Sequence, residues 1–245
     1  MLAYQYPGLQ GLEIWHGLAR HTTLYQLHDD KPAYFGGLSE FLKKLHAGTA
    51  RTAEGNSLAA AAGFQTLILT GGEAAAASAV LDWPHELVNT GPYAARAGAE
   101  AVWRELGWRR PLAIDLGQSR LKFFTPEASG VIERDESLLP FGKDALETGE
   151  GRARLRDVIR PAILPDCDGI LLALPAAIAS DGHAGSSTYP GLFGSVEPIF
   201  ESLFPNIAWA VCNDAVLAAR GYPPAAREKT LVLTLGFGVG AAIWY

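Results

Sequence analysis

The sequence predicts an α/β fold with mixed sheets, on three observations. Residues 112–124, LAIDLGQSRLKFF, and 231–245, LVLTLGFGVGAAIWY, each read as two apolar strands broken by a glycine-bearing turn. Elsewhere short buried strands alternate with helical stretches, the pattern of layered α/β architecture containing both strand directions. Hydrophobic residues make up 49% of the 245, enough for one large core or two modest ones.

Taken in order, Leu2–Tyr6 reads as short strands and Leu12–Leu27 as a helix. Leu38, Phe41, Leu42 and Leu45 share one helical face at i, i+3, i+4, i+7. FQTLILTGG is a buried strand ending in paired glycines, and the alanines of EAAAASAVL favour helix. HELVNTGPY is extended with a turn, and AARAGAEAVWRELG is a helix closed by Gly107. The first hairpin follows, with a third strand near Gly130–Glu133 and a polar helix over Gly142–Ile159. DGILLALP is a buried strand leading into a loop, ASDGHAGSSTYPG. SVEPIFESLF is helical, IAWAVCND is a strand ending in a polar pair, AVLAARGY is a helix, and the second hairpin completes the pattern.

Composition removes several function classes. A net charge of −6 disfavours a phosphate backbone as partner, so no nucleic acid is expected. The longest apolar runs fall short of the ~20 residues that cross a bilayer, and MLAYQYPGLQGLE lacks the basic and apolar regions of an export signal. Cys167 and Cys212 have no metal or redox spacing. The expectation is a cytoplasmic protein without a membrane partner.

Four segments sit at predicted strand ends: DLGQS at 115–119, ND at 213–214, LGFGVG at 235–240 and TGGE at 70–73. Ligands of open α/β sheets bind beyond strand ends. Alone, each segment has a plain reading: hairpin glycines, a turn aspartate, a strand cap, a helix cap. Together they carry the parts of phosphoryl transfer. Glycine turns bring N–H groups to phosphate oxygens, one carboxylate can hold hydrated Mg²⁺, and a second can accept a hydroxyl proton.

IDLGQSRLKFF resembles the first phosphate motif of the sugar kinase, heat-shock ATPase and actin superfamily, and LTLGFGVGAAIW its second. NDAVLAARG and LTLGFGVGAAI resemble the ROK sugar kinases and bacterial glucokinases more narrowly. TLILTGGEAAAA resembles the adenosine motif, ARAGAEAVWRELG the usual final helix, and GLEIWHG the family's Gly-Glu-Ile-Gly-His. Because the usual first motif follows the usual final helix, the resemblance implies a circular permutant, with MLAYQYPG as the strand returning after the second hairpin. The implied fold is two RNase H-like domains around a central cleft. One covers 109–212, and the other joins 213–245 to 1–108.

The resemblance implies ATP and Mg²⁺ as cofactors and a small hydroxylated substrate, a sugar first. Asp214 would be the catalytic base. Asp115 would organise Mg²⁺ through water, and Gly117, Ser119, Lys122, Gly236, Gly238, Gly240, Gly71, Gly72 and Glu73 would bind the nucleotide. Asn213, Glu13, His16 and Asp181 would meet the substrate, with His183, Ser186 and Ser187 beside them. A homodimer is a further implication. The ROK zinc signature is absent, so no structural zinc is expected, and Phe237 stands where the family has a small Thr. DLGQSRLKF is also similar to type III pantothenate kinases, and a non-catalytic ligand-binding member of the superfamily stays open as another class.

Overall fold

The computed structural model describes every residue except 1, 4–6, 8, 13–16, 20–21, 24–28, 52–56, 118–119, 134–148, 188–193, 225–227 and 237–238. The described elements begin with strands β1 (Leu2–Ala3), β2 (Leu9–Leu12), β3 (Gly17–Ala19) and β4 (Thr22–Thr23), then helix α1 (Lys31–His46). Next come β5 (Thr66–Thr70), α2 (Ala74–Val80), β6 (Glu86–Asn89) and α3 (Ala94–Leu106). The first hairpin and its third strand are β7 (Pro111–Leu116), β8 (Arg120–Phe124) and β9 (Ser129–Glu133). After α4 (Gly149–Ile159) lie β10 (Gly169–Leu174), β11 (Ala176–Ile178), β12 (His183–Ser187) and β13 (Gly194–Ser195). The rest are α5 (Glu197–Leu203), β14 (Trp209–Asn213), α6 (Asp214–Arg220), β15 (Thr230–Leu235) and β16 (Val239–Trp244).

Contacts divide the chain into two compact units, Met1–Tyr6 with Ala95–Gly221, and Pro7–Ala94 with Tyr222–Tyr245. The sequence reading places its boundaries at 109 and 212 instead. Helices α3 and α6 fall in the first unit because Ala95, Ala99, Val102, Trp103 and Leu217 share a core with the β7, β10 and β14 residues Ala113, Leu171, Ala173, Ala210 and Cys212.

The first unit is built on a six-stranded sheet, ordered β1-β14-β10-β7-β8-β9. β7, β8 and β9 form an antiparallel meander, while β10 runs parallel to β7, and β14 parallel to β10. Strand alternation splits its side chains between two faces. Leu112, Ile114, Ile170, Leu172 and Val211 pack with Ile199, Phe200 and Leu203 of α5, whereas the intervening residues meet α3 and α6. A sheet covered on both faces has central strands that are apolar throughout, which is why β7 and β10 are buried at every position.

The second unit holds a five-stranded sheet, β2-β16-β15-β5-β6. β15, β16 and β2 are antiparallel neighbours, and β5 and β6 continue parallel to β15. Asp30 caps α1 by accepting the Ala33 N–H at 3.2 Å, and Pro32 occupies the first turn, where no intrahelical donor is required. Tyr34, Leu38, Phe41, Leu42 and Leu45 bury the face that the spacing predicts.

Three expectations are corrected. The helix over Leu12–Leu27 is replaced, among described residues, by the end of β2 and the β3–β4 pair; glycine and consecutive threonines there favour extension over helix. The strand returning beside β16 is β2, with Leu9 opposite Trp244, while Leu2–Ala3 pairs with β14 of the other unit. Much of ASDGHAGSSTYPG is not loop: β12 pairs with β11 and β13, and 188–191 lie outside the described residues. Among the described residues no helix is long and apolar enough to cross a membrane.

Candidate functional site

Two carboxylates stand at the C-terminal ends of parallel strands in the first unit. Asp115 is the penultimate residue of β7 and follows Ala113 on the α3/α6 face; it is 7% exposed. Its cross-strand partner is Lys122, whose Nζ donates to Asp115 Oδ2 at 2.9 Å. On the other side of Asp115 the register runs through Ala173 of β10 to Cys212 of β14. Two strand spacings separate Asp115 from Cys212 along this row, about 10 Å between backbones. Asp214 lies two residues beyond, where β14 turns into α6.

Capping of α6 falls to Asn213, whose Oδ1 accepts the Val216 N–H at 3.0 Å. Its amide Nδ2 donates to Ala176 O at 3.0 Å, tying the start of β11 to the head of α6. Asn213 thus spends its polar groups on structure, and Asp214 is relieved of the cap. The Asp214 carboxylate accepts its neighbour's N–H, Ala215, at 2.8 Å. Part of the residue reaches solvent, yet the protein packed around the carboxyl sets its electrostatics. Burial, and then the charge of Asp115, push its pKa up to about 7; the Ala215 N–H and Lys122 oppose them. Cys212 is fully buried on the same face, and burial with the charges of Asp214 and Asp115 raises its thiol well above the usual range.

Gly117 ends this row with little room: a side chain there would meet Arg120 O at 2.6 Å. Ser119 and Gln118 lie outside the described residues, as do Glu13, His16, Phe237 and Gly238. Asp181 is exposed in the β11–β12 turn, where it accepts the His183 N–H and pairs with its ring at 3.2 Å. That N–H holds its carboxyl below the usual range. His183, Ser186 and Ser187 form part of β12.

In the second unit, Gly71, Gly72 and Glu73 follow β5 and lie against the end of β15. The Glu73 N–H donates to Leu235 O at 3.1 Å, and Gly71 adopts φ +99° so close that a Cβ would fall 2.2 Å from that oxygen. Only glycine serves there. Glu73 is paired with Lys31 at 3.0 Å. Gly236 has open space around it, and Gly240 lies opposite Thr234 in the hairpin. The structure therefore joins Asp115, Lys122, Asn213 and Asp214 in one unit, and 71–73 with 235–236 in the other. Sequence reasoning gave no role to Cys212 or Ala173. Their signal was the strand alternation that puts them on the face of Asp115.

No protein-family model matches the chain, and no curated protein matches it. Among solved structures it is similar to a candidate sugar kinase from Cytophaga hutchinsonii, at 20% identity and a TM-score of 0.41, over 56% of this chain and 48% of that one. It is also similar to a ROK family protein from Streptococcus pneumoniae in complex with sucrose, at 21% identity and a TM-score of 0.37, over 56% and 46%. The chain thus spans about half the length of these structures. Likeness this partial assigns neither family nor activity.

Proposed function

We propose that the protein transfers the γ-phosphoryl group of ATP to a hydroxyl of a small substrate, a sugar in the first instance. One observation carries this reading: Asp115 and Asp214 stand at the ends of two strands flanking β10, where burial and then the charge of Asp115 raise Asp214 to about 7. A carboxylate poised near neutrality suits a general base. Asp214 takes the proton of the attacking hydroxyl, whose oxygen bonds to the γ-phosphorus as the bond to the ADP oxygen breaks.

The donor set fits a hydrated divalent cation. Two carboxylates answered by one ammonium leave surplus negative charge in a buried place, and Mg²⁺ accepts one or two carboxylates while keeping its waters. Among the described residues no group of three or more His, Cys, Asp or Glu could cage a metal. When bound, Mg²⁺ would neutralise charge developing on the phosphates. Asn213 orients Asp214, and Lys122 holds Asp115 in its rotamer. In the second unit, backbone donors of the 236–240 turn would serve phosphate and Gly71–Glu73 the adenosine.

The proposal extends to topology. The sheets match the RNase H-like pattern, a three-stranded antiparallel meander continued by two parallel strands. In the second unit the third meander strand, β2, precedes the other two in the chain, which supports a circular permutation.

The test is ADP release with ATP, Mg²⁺ and a panel of sugars plus pantothenate. Asp214→Ala is expected to hold nucleotide affinity while lowering turnover by about a thousandfold or more. Equal loss of both, or of neither, refutes the role. A ligand-induced rise in melting temperature without ADP release would indicate a binding protein instead.

A further inference from the structure

Helix α6 carries Asp214, is seven residues long and buries Ala215, Leu217, Ala218 and Ala219. Its seat is the backbone of α3. A Cβ built on Gly98 would lie 1.7 Å from Leu217 O and 2.7 Å from Leu217 C, so the two helices touch backbone to backbone. One turn on, a Cβ at Gly221 would fall 2.7 Å from Ala97 Cβ and 2.8 Å from the Gly98 nitrogen. Arg220 is paired with Glu105, which closes the far end of the contact. Leu217 lies one helical turn from Asp214, and Cys212, Ala99 and Val102 fill the same core. Any side chain at position 98 must drive α6 away by more than about 1 Å, because close-packed backbone has no slack to absorb it.

We infer that Gly98 is the positioning residue for Asp214: by letting α3 accept α6 at backbone contact, it sets where the Asp214 carboxylate stands relative to Asp115. The kinetic half of this inference rests on the phosphotransfer reading; the geometric half does not.

Cys212 separates the two. The chain has two cysteines, so in a Cys167→Ser background the buried Cys212 is the sole thiol, shielded beneath the α3–α6 pair. Gly98→Ala is expected to raise its rate of modification by a disulfide reagent about tenfold or more, through loosening of this one layer. Gly130→Ala is the control, since its Cβ would clash with the Phe123 ring at 2.1 Å, away from α6. In the enzyme, Gly98→Ala should lower kcat about a hundredfold with the KM for ATP within about twofold, as a misplaced base would. The double variant with Asp214→Asn should be no slower than Asp214→Asn alone. Should Gly98→Ala fail to fold, Gly221→Ala carries the test, because its Cβ would meet the Gly98 nitrogen at 2.8 Å: thiol exposure should rise there too. Unchanged Cys212 protection, or an equal rise in Gly130→Ala, overturns the inference whatever the activity. Selective exposure without any phosphotransfer by the parent protein leaves the seat standing and refutes the kinase reading.

Discussion

Asp214→Asn should stabilise the fold at neutral pH while removing the proposed base. The folded carboxyl has a pKa of about 7 against an ordinary 3.8. Ionising it inside the protein therefore costs on the order of 4 kcal/mol more than ionising it in the unfolded chain, an upper bound because Asp115 shares the coupling. The sign follows from proton binding. Below about pH 4 both states hold the proton and there is no penalty. Between about 4 and 7 the folded state binds a proton that the unfolded state has released, so stability falls as pH rises. Above about 7 the penalty is complete. Asparagine keeps an oxygen for the Ala215 N–H and carries no charge, so the variant escapes this loss. Urea unfolding of both proteins from pH 4 to 8, with chelator and without nucleotide, should give curves that meet at the acid end and diverge to several kcal/mol at pH 8. Parallel curves, or an asparagine variant that loses ground as pH rises, would refute the electrostatic account of the site.

Two more substitutions probe its surroundings. Lys122→Met leaves Asp115 without its 2.9 Å partner and removes a charge that favours ionised Asp214; a loss of about 2–3 kcal/mol at pH 8 is expected in urea titrations, shrinking as the pH falls through 7. In the second unit, Gly71→Ala meets both a φ of +99° and the Leu235 carbonyl. It should cost about 3 kcal/mol or more, read as a lower melting temperature, whereas Gly72→Ala, with open space around it, should cost far less.

Much of this arrangement can be read from the chain. Apolar runs locate β5, β7, β10, β14 and β15, and the residue types Asp115, Asn213 and Asp214 stand out where those strands end. What sequence could not apportion was labour between neighbours: Asn and Asp both cap helices well, and only the Val216 N–H decides in favour of Asn213. β11, β12 and β13 escaped notice because glycine, alanine and serine have little strand preference, and pairing supplies their order. Gly98 was invisible for a similar reason. A glycine within a helix looks like a propensity defect until a second backbone is found against it.

The two large sheets set the same frame to different uses. In each, the first meander strand ends in Leu-Gly: Leu116-Gly117 after Asp115, Leu235-Gly236 after Thr234. The hairpin register then pairs Asp115 with Lys122 in one unit and Thr234 with Gly240 in the other. The first hairpin therefore concentrates formal charge, and the second keeps its end bare of charged side chains at that pair, leaving backbone donors room to approach an anion. The parallel strands differ likewise. β14 leads into Asn213-Asp214, where burial and a like charge hold a proton near neutrality, while β6 leads into Asn89-Thr90, where Asn89 Oδ1 accepts the Gly91 N–H and the Thr90 hydroxyl donates to Leu69 O. Under the proposed reading, the first unit's strand ends would handle the proton, since the like charge that lifts Asp214 comes from its own sheet.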